Sequence, residues 1–205
     1  MKQGMDGARR WFVAIGMAAA LAVPAVPALA QQSDSYKFID AVTKADGAKV
    51  TELLDRPGNT LINLRADNGD TALHIVTRRR DSTYLGFLLA RGADPDARDH
   101  DGNTPLMIAS LLGFEGGVQT LVDRRANVNL ANNRGETPLI IAVQRQNLPM
   151  VRLLLSLGAN PAQPDRVTGM SARDYAAQDR RLESILRLID SMPRAAPAAP
   201  IQGPH

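Results

Sequence analysis

Gly102-Asn103-Thr104-Pro105-Leu106-Met107 is the stretch that decides the fold, because it has a copy 33 residues to either side. Upstream stands Gly69-Asp70-Thr71-Ala72-Leu73-His74, and downstream Gly135-Glu136-Thr137-Pro138-Leu139-Ile140. A second phrase keeps the same step: Arg91-Gly92-Ala93-Asp94-Pro95-Asp96, Arg124-Arg125-Ala126-Asn127-Val128-Asn129, then Leu157-Gly158-Ala159-Asn160-Pro161. Two unrelated phrases sharing one period mean that a whole structural unit repeats. A stacked array of such units has much exposed surface and no natural interior cleft, which tilts its function toward binding.

The unit can be read from its residues. Thr104 suits an N-cap, and Pro105 sits at the first helical position, where a missing N–H costs nothing. Leu106, Ala109 and Ser110 fall at helical spacing, and Gly113 is placed to end the helix in a left-handed conformation. A second helix carries Val118, Leu121 and Val122, followed by polar turn residues 127–133. Pro149, just after Asn147, reads as a helix start. Helices this short cannot bury an apolar face alone, so they must stack on neighbours; Leu106, Leu121, Leu139 and Leu154 are expected in that core.

The pattern resembles the ankyrin repeat, a β-turn plus two antiparallel helices with a Thr-Pro-Leu-His phrase. The resemblance covers residues 35–192 and implies an all-α solenoid of helix-turn-helix units with β-turn connections. Five repeats are expected: a cap at 35–66, then 67–99, 100–132, 133–165, and a cap at 166–192. The first cap lacks the Thr-Pro-Leu phrase. In the last, Arg173 and Asp174 replace the usual apolar and His positions, as suits a polar outer end. Arg80, Gln146 and Arg180 stand where Gly113 stands. A side chain held left-handed costs roughly 1 kcal/mol, so reshaped turns are expected there. Arg125, in the place of Gly92 and Gly158, marks the middle repeat as a weak point.

Lys2, Arg9 and Arg10, the uncharged apolar run 11–21, and Ala28-Leu29-Ala30 read as a signal peptide over 1–30 cleaved before Gln31, with 31–34 a short leader. The uncharged stretch 11–30 is nominally long enough to span a bilayer, but it is alanine-rich and Pro24 and Pro27 break its second half, which argues against an uncleaved anchor. Arg9-Arg10-Trp11-Phe12 looks like part of a twin-arginine motif whose flanks match poorly. The expected location is the periplasm, with secretion or an inner-membrane anchor as the alternatives and membrane contact only through an uncleaved leader. The whole chain holds 24 Lys+Arg and 21 Asp+Glu; removing Lys2, Arg9, Arg10 and Asp6 leaves 21 and 20. So near neutral a chain gives no reason to expect nucleic acid. The Arg78-Arg79-Arg80 tract reads as a solvated helix end. With no cysteine there is neither disulfide nor thiol chemistry, and stability must come from burial between repeats. The Pro- and Ala-rich segment 193–205 is expected to be a disordered or extended tail.

Chemistry finds few footholds. His74 occupies the Thr-Pro-Leu-His position, and the resemblance implies that it bonds Thr71 and a neighbouring turn. His100 lies between Asp99 and Asp101, residues that more often close turns than hold metals. His205 is in the tail. No Gly-x-Ser-x-Gly phrase or phosphate loop occurs, and acidic pairs such as Asp94/Asp96 fall in solvated turns. No enzyme, catalytic residue, metal or cofactor is expected.

The resemblance further implies a protein partner, of unknown identity, bound by a concave face of turn tips and first helices. Carried over residue by residue, that face comprises Asp67, Asp70, Arg78 and Arg79, then Arg98, His100, Asn103, Leu111 and Leu112. The third repeat adds Arg134, Glu136, Gln144 and Arg145. The adjacent leucines stand out, since the equivalent pairs are Arg78-Arg79 and Gln144-Arg145. If one leucine is exposed, it forms an apolar centre flanked by arginines. The expectation is a monomeric, non-catalytic interaction module of the bacterial cell envelope. Two alternatives stay open: a periplasmic inhibitor or immunity-type protein occluding one enzyme or toxin, and a self-associating structural protein.

Overall fold

In the computed structural model, which describes residues 26–58 and 60–192, each repeat opens as its residues dictate. The Thr104 hydroxyl accepts from the Met107 N–H at 3.3 Å, and Thr137 from Ile140 at 3.2 Å, with proline directly after each cap. Five first helices follow: α1 (Val26–Thr43), α3 (Ala72–Arg78), α5 (Pro105–Leu112), α7 (Pro138–Gln144) and α9 (Ala172–Gln178). They alternate with α2 (Gly47–Leu54), α4 (Ser82–Ala90), α6 (Glu115–Asp123), α8 (Leu148–Ser156) and α10 (Glu183–Ser191). Single 3₁₀ turns lie at Leu61–Asn63 and Arg180–Leu182. Among the described residues there are ten α-helices and no strand, only isolated bridges at Arg65/Thr71 and Pro164/Ser171. No helix among them is long and apolar enough to cross a membrane.

Stacking is regular on one side. Helix α1 packs on α3, α3 on α5, α5 on α7, and α7 on α9, while each first helix also packs on the second helix of its own repeat. Leu106, Leu121, Leu139 and Leu154 are fully buried between the layers, so the expected register holds. At tens of square ångströms of apolar surface per side chain and roughly 25 cal/mol per Å², this shared core is what stabilises helices too short to persist alone.

The turns are spaced by backbone contact. Gly102 has φ +79°, and a Cβ there would lie 2.8 Å from the Asn133 nitrogen of the next turn. Gly169 needs the same left-handed backbone but has nothing within 4 Å, and among the described residues no further turn packs on it. Asp174 does locally what His74 does upstream, exchanging hydrogen bonds with Ser171, and Arg173 pairs outward with Asp190 at 2.8 Å.

The interhelical turns depart from expectation. Gly113 is left-handed, as expected, but so are Arg80 and Gln146, both at φ 55°; only Arg180 is reshaped, into the 3₁₀ turn. Arg80 has a compensation: its guanidinium donates to the Leu112 carbonyl in the next repeat. Arg125 is also left-handed, and its neighbour Ala126 still donates to Leu121 at 3.0 Å, so the middle turn keeps its form. Residues 1–25 and 193–205, which hold most of the expected signal peptide and all of the expected tail, lie outside the described residues; Ala28–Ala30 fall within α1.

Candidate protein interface

The first helices set the register of the face. Positions 78, 111 and 144 are equivalent on α3, α5 and α7, as are 79, 112 and 145. Leu111 is 39% exposed, whereas Leu112 is half-buried and its carbonyl takes the Arg80 guanidinium. The three exposed large hydrophobics among the described residues are Tyr36, Leu111 and Val167; Tyr36 and Val167 fall in the two cap repeats, and Leu111 in an inner one.

Several residues expected on this face are committed elsewhere. Asp70 is 6% exposed and accepts from Asn68 and Arg78, so it organises its own turn. Asn103 donates to Asp99 through its backbone and side chain, at 2.8 and 3.1 Å, and accepts from Asn132. Glu136 is half-buried and accepts from Asn132 at 3.0 Å. These three close turns. Their polarity is structural because buried turn backbone needs partners.

The arginine tract is likewise occupied. Arg78 pairs with Asp70 at 2.9 Å and reaches Asp99 at 3.7 Å. Arg79 donates to the Val42 carbonyl at 2.7 Å, pairs with Asp81, and lies 5.8 Å over the Tyr84 ring. Residues 78–80 are exposed at the end of α3, as expected of a solvated helix end, and their guanidinium groups also make ties to neighbouring repeats. Asp67, His100, Arg134, Gln144 and Arg145 are exposed, and Arg98 half-exposed. Arg134 has Glu136 at 3.5 Å. No carboxylate among the described residues lies within ion-pair distance of Arg145 or Arg98.

The structure adds residues that the sequence reading missed. A groove of about 640 Å³ between α1 and α3 is lined by Ile39, Thr43, Ile75, Asp67, Arg78 and Arg79. At the far end, about 610 Å³ is bounded by Gln144, Gln146, Tyr175, Gln178 and Arg180. Tyr175 is fixed there by donating to Asp165 at 2.6 Å. Desolvation works to raise the Asp165 pKa, but bonds from Tyr175, Thr168 and Val167 hold it well below the usual carboxylate range. Arg166 forms the tip after Arg134, its N–H donating to the Arg134 carbonyl at 2.9 Å. Arg166 lies one 33-residue step after Asn133, so the repeat period itself marks it as a turn-tip position.

His74 is fully buried. The Thr71 N–H donates to Nδ1 at 3.0 Å, so the imidazole proton sits on Nε2 and is donated to the Asn103 carbonyl, 3.0 Å away. The ring is a strut between repeats. Asp99, the neighbour of His100, is 9% exposed and its carboxylate accepts from the Asn103 backbone and side chain.

The family model described as ankyrin repeats (3 copies) matches residues 38–132 and 117–196. The chain is 34% identical over 119 residues to neurogenic locus notch homolog protein 1 of Mus musculus, 58% of this chain and 4% of that one. It is 30% identical over 142 residues to the tyrosine-protein kinase HTK16 of Hydra vulgaris, 68% of this chain and 18% of the kinase. With an ankyrin repeat-containing protein of Treponema pallidum (strain Nichols) it shares 32% over 114 residues, 55% of this chain and 38% of that protein. The match thus spans less than half the length of each relative. Ankyrin repeats are generally protein–protein interaction modules and typically non-catalytic. On the match to the family model and the stacked helix pairs, this chain belongs to the ankyrin-repeat family.

Proposed function

We propose that this chain is a non-catalytic binding module of the bacterial cell envelope, exported by residues 1–30 and gripping a protein partner with its concave face. The observation that carries the reading is Leu111, an exposed leucine at the centre of stacked first helices whose equivalent positions hold Arg78 and Gln144. An apolar side chain ringed by polar ones is the composition of an interface centre. The surface is rigid because every first helix is locked to the next, so recognition needs little reordering. Export is supported by the charged start, the apolar run and the small-x-small site before Gln31.

The test is affinity capture from periplasm with the chain beginning at Gln31, beside a Leu111→Glu variant of unchanged unfolding temperature. Loss of the captured protein in the variant supports the concave face, whereas wild-type capture by a folded variant rejects it. Recovery of one stoichiometric enzyme would make the module an inhibitor, and recovery of the chain alone a self-associating protein. Export is tested separately, by sequencing the mature N-terminus: Gln31 in the soluble periplasm is expected, and an intact start in washed membranes overturns it.

A further inference from the structure

The arginines of this face are not equivalent, and the difference has a direction. In the N-terminal half, Arg78 and Arg79 are already paired with Asp70 and Asp81, and the groove beside them is floored by Ile39 and Ile75. In the C-terminal half Arg134 has Glu136 at 3.5 Å, but Arg145 and Arg166 are exposed with no described carboxylate in ion-pair range, a state shared upstream by the half-exposed Arg98. The turn tips change in the same sense: one position reads Asp67, His100, Asn133 and Arg166 in successive repeats, and the next reads Asn68, Asp101, Arg134 and Val167. Leu111 sits where the two halves meet.

We infer that the partner presents an acidic amphipathic segment in one orientation, its apolar residues over Ile75 and Leu111 and its carboxylates over Arg145 and Arg166. The inference rests on the concave-face reading above and adds the chemistry of the occupant. Charge complementarity is the argument: near a protein surface an uncompensated arginine gains more from an incoming carboxylate than one already engaged, and its planar fork bonds that carboxylate bidentately. Gln144 and Gln178 bound the groove at that end together with Asp179, Arg180 and Arg181, and their amides offer further donors to carboxylate or backbone oxygens. Association should therefore quicken at low salt, with the apolar end setting the lifetime.

The test selects a display library of random peptides on the chain from Gln31 and measures enriched peptides by fluorescence anisotropy. Enriched sequences should pair an apolar cluster with a carboxylate cluster and bind more weakly as salt rises. Arg145→Glu and Arg166→Glu should each weaken binding about tenfold, Leu111→Glu should abolish it, and Arg152→Glu on α8 should leave it unchanged. Exchanging the peptide carboxylates for lysine should restore binding to the Arg145→Glu protein. Neutral or basic enriched sequences, no enrichment, or indifference to Arg145→Glu would overturn the acidic assignment. If Leu111→Glu still abolishes binding in that case, the concave face stands and only the partner's chemistry falls; if it does not, both fall.

Discussion

The side-chain oxygen of Asn129 accepts the backbone N–H of Asn160, 31 residues on, at 2.7 Å. The same tie joins Asn63 to Asp94 and Asp96 to Asn127, so one position per repeat fastens the next turn. The two asparagines also donate, Asn129 to the Gly158 carbonyl at 3.2 Å and Asn63 to that of Gly92 at 3.4 Å. An ionised Asp96 cannot donate, which leaves the Arg125 carbonyl without its counterpart of those bonds. Asp96→Asn should therefore raise stability, by at most about 1 kcal/mol, while Asp96→Ala loses about as much. Urea unfolding midpoints measure both; equal losses in the two variants would contradict the ladder.

Thr77 is fully buried, and its hydroxyl has no hydrogen-bond partner among the described residues. The equivalent Ser110 satisfies its own hydroxyl by donating to the Leu106 carbonyl at 2.8 Å, and the next repeat has Val143. An unpaired buried hydroxyl costs about 1–3 kcal/mol, so Thr77→Val, which keeps the shape, should stabilise by about 1 kcal/mol. Thr77→Ser keeps the hydroxyl and loses a methyl, and should destabilise. The two changes in thermal unfolding temperature should have opposite signs.

His74 links protonation to stability. Burial pushes its pKa below the ordinary 6.5, against the Asn103 carbonyl and the nearby Asp70 and Asp99 that favour the charged ring. The unfolded chain then binds a proton more readily than the folded one. Stability is full above pH 6.5 and falls as the pH drops from 6.5 toward the depressed folded value. The cationic ring could also no longer accept the Thr71 N–H. His74→Met, copying Met107, should be less stable at neutral pH yet lose less between pH 6.5 and 5. Denaturant titrations across that window give the comparison, and parallel curves for the two proteins would sink the linkage.

The fold was legible because its signals are local. Thr104-Pro105 caps and starts a helix by itself, and the 33-residue step fixes which helices must meet. The face was less legible because its charges are settled across repeats. Nothing adjacent to Arg78 says that Asp99, a repeat away, will be in reach, or that Arg80 will find the Leu112 carbonyl. Asp70, Asn103 and Glu136 enter the face only by carry-over from the family pattern, which does not register the bonds each makes within its turn. A usable signal was there for two of them: Asp99/Asn103 and Asn132/Glu136 are polar pairs four apart that span a turn, and pairs so placed tend to bond each other. Leu111 against Leu112 could not be decided from spacing, since both lie at the helix end and only the rotation of α5 separates them.

Gln146 poses the sharpest test of the strain argument. It holds φ 55°, the left-handed backbone that Gly113 adopts at the equivalent position, and its side chain is exposed. A Cβ in that region costs roughly 1 kcal/mol, partly offset because glycine loses more backbone freedom on folding. Gln146→Gly should therefore be neutral to stabilising by up to about 1 kcal/mol. Arg80 has the same φ but donates to the Leu112 carbonyl, a tie between repeats that glycine cannot make. Arg80→Gly should thus come out less favourable than Gln146→Gly by about the worth of one hydrogen bond, roughly 1 kcal/mol. Chemical unfolding of both variants isolates that difference. Equal effects would mean that the Arg80 contact contributes nothing, and a clear loss at Gln146 would mean that its left-handed turn is unstrained.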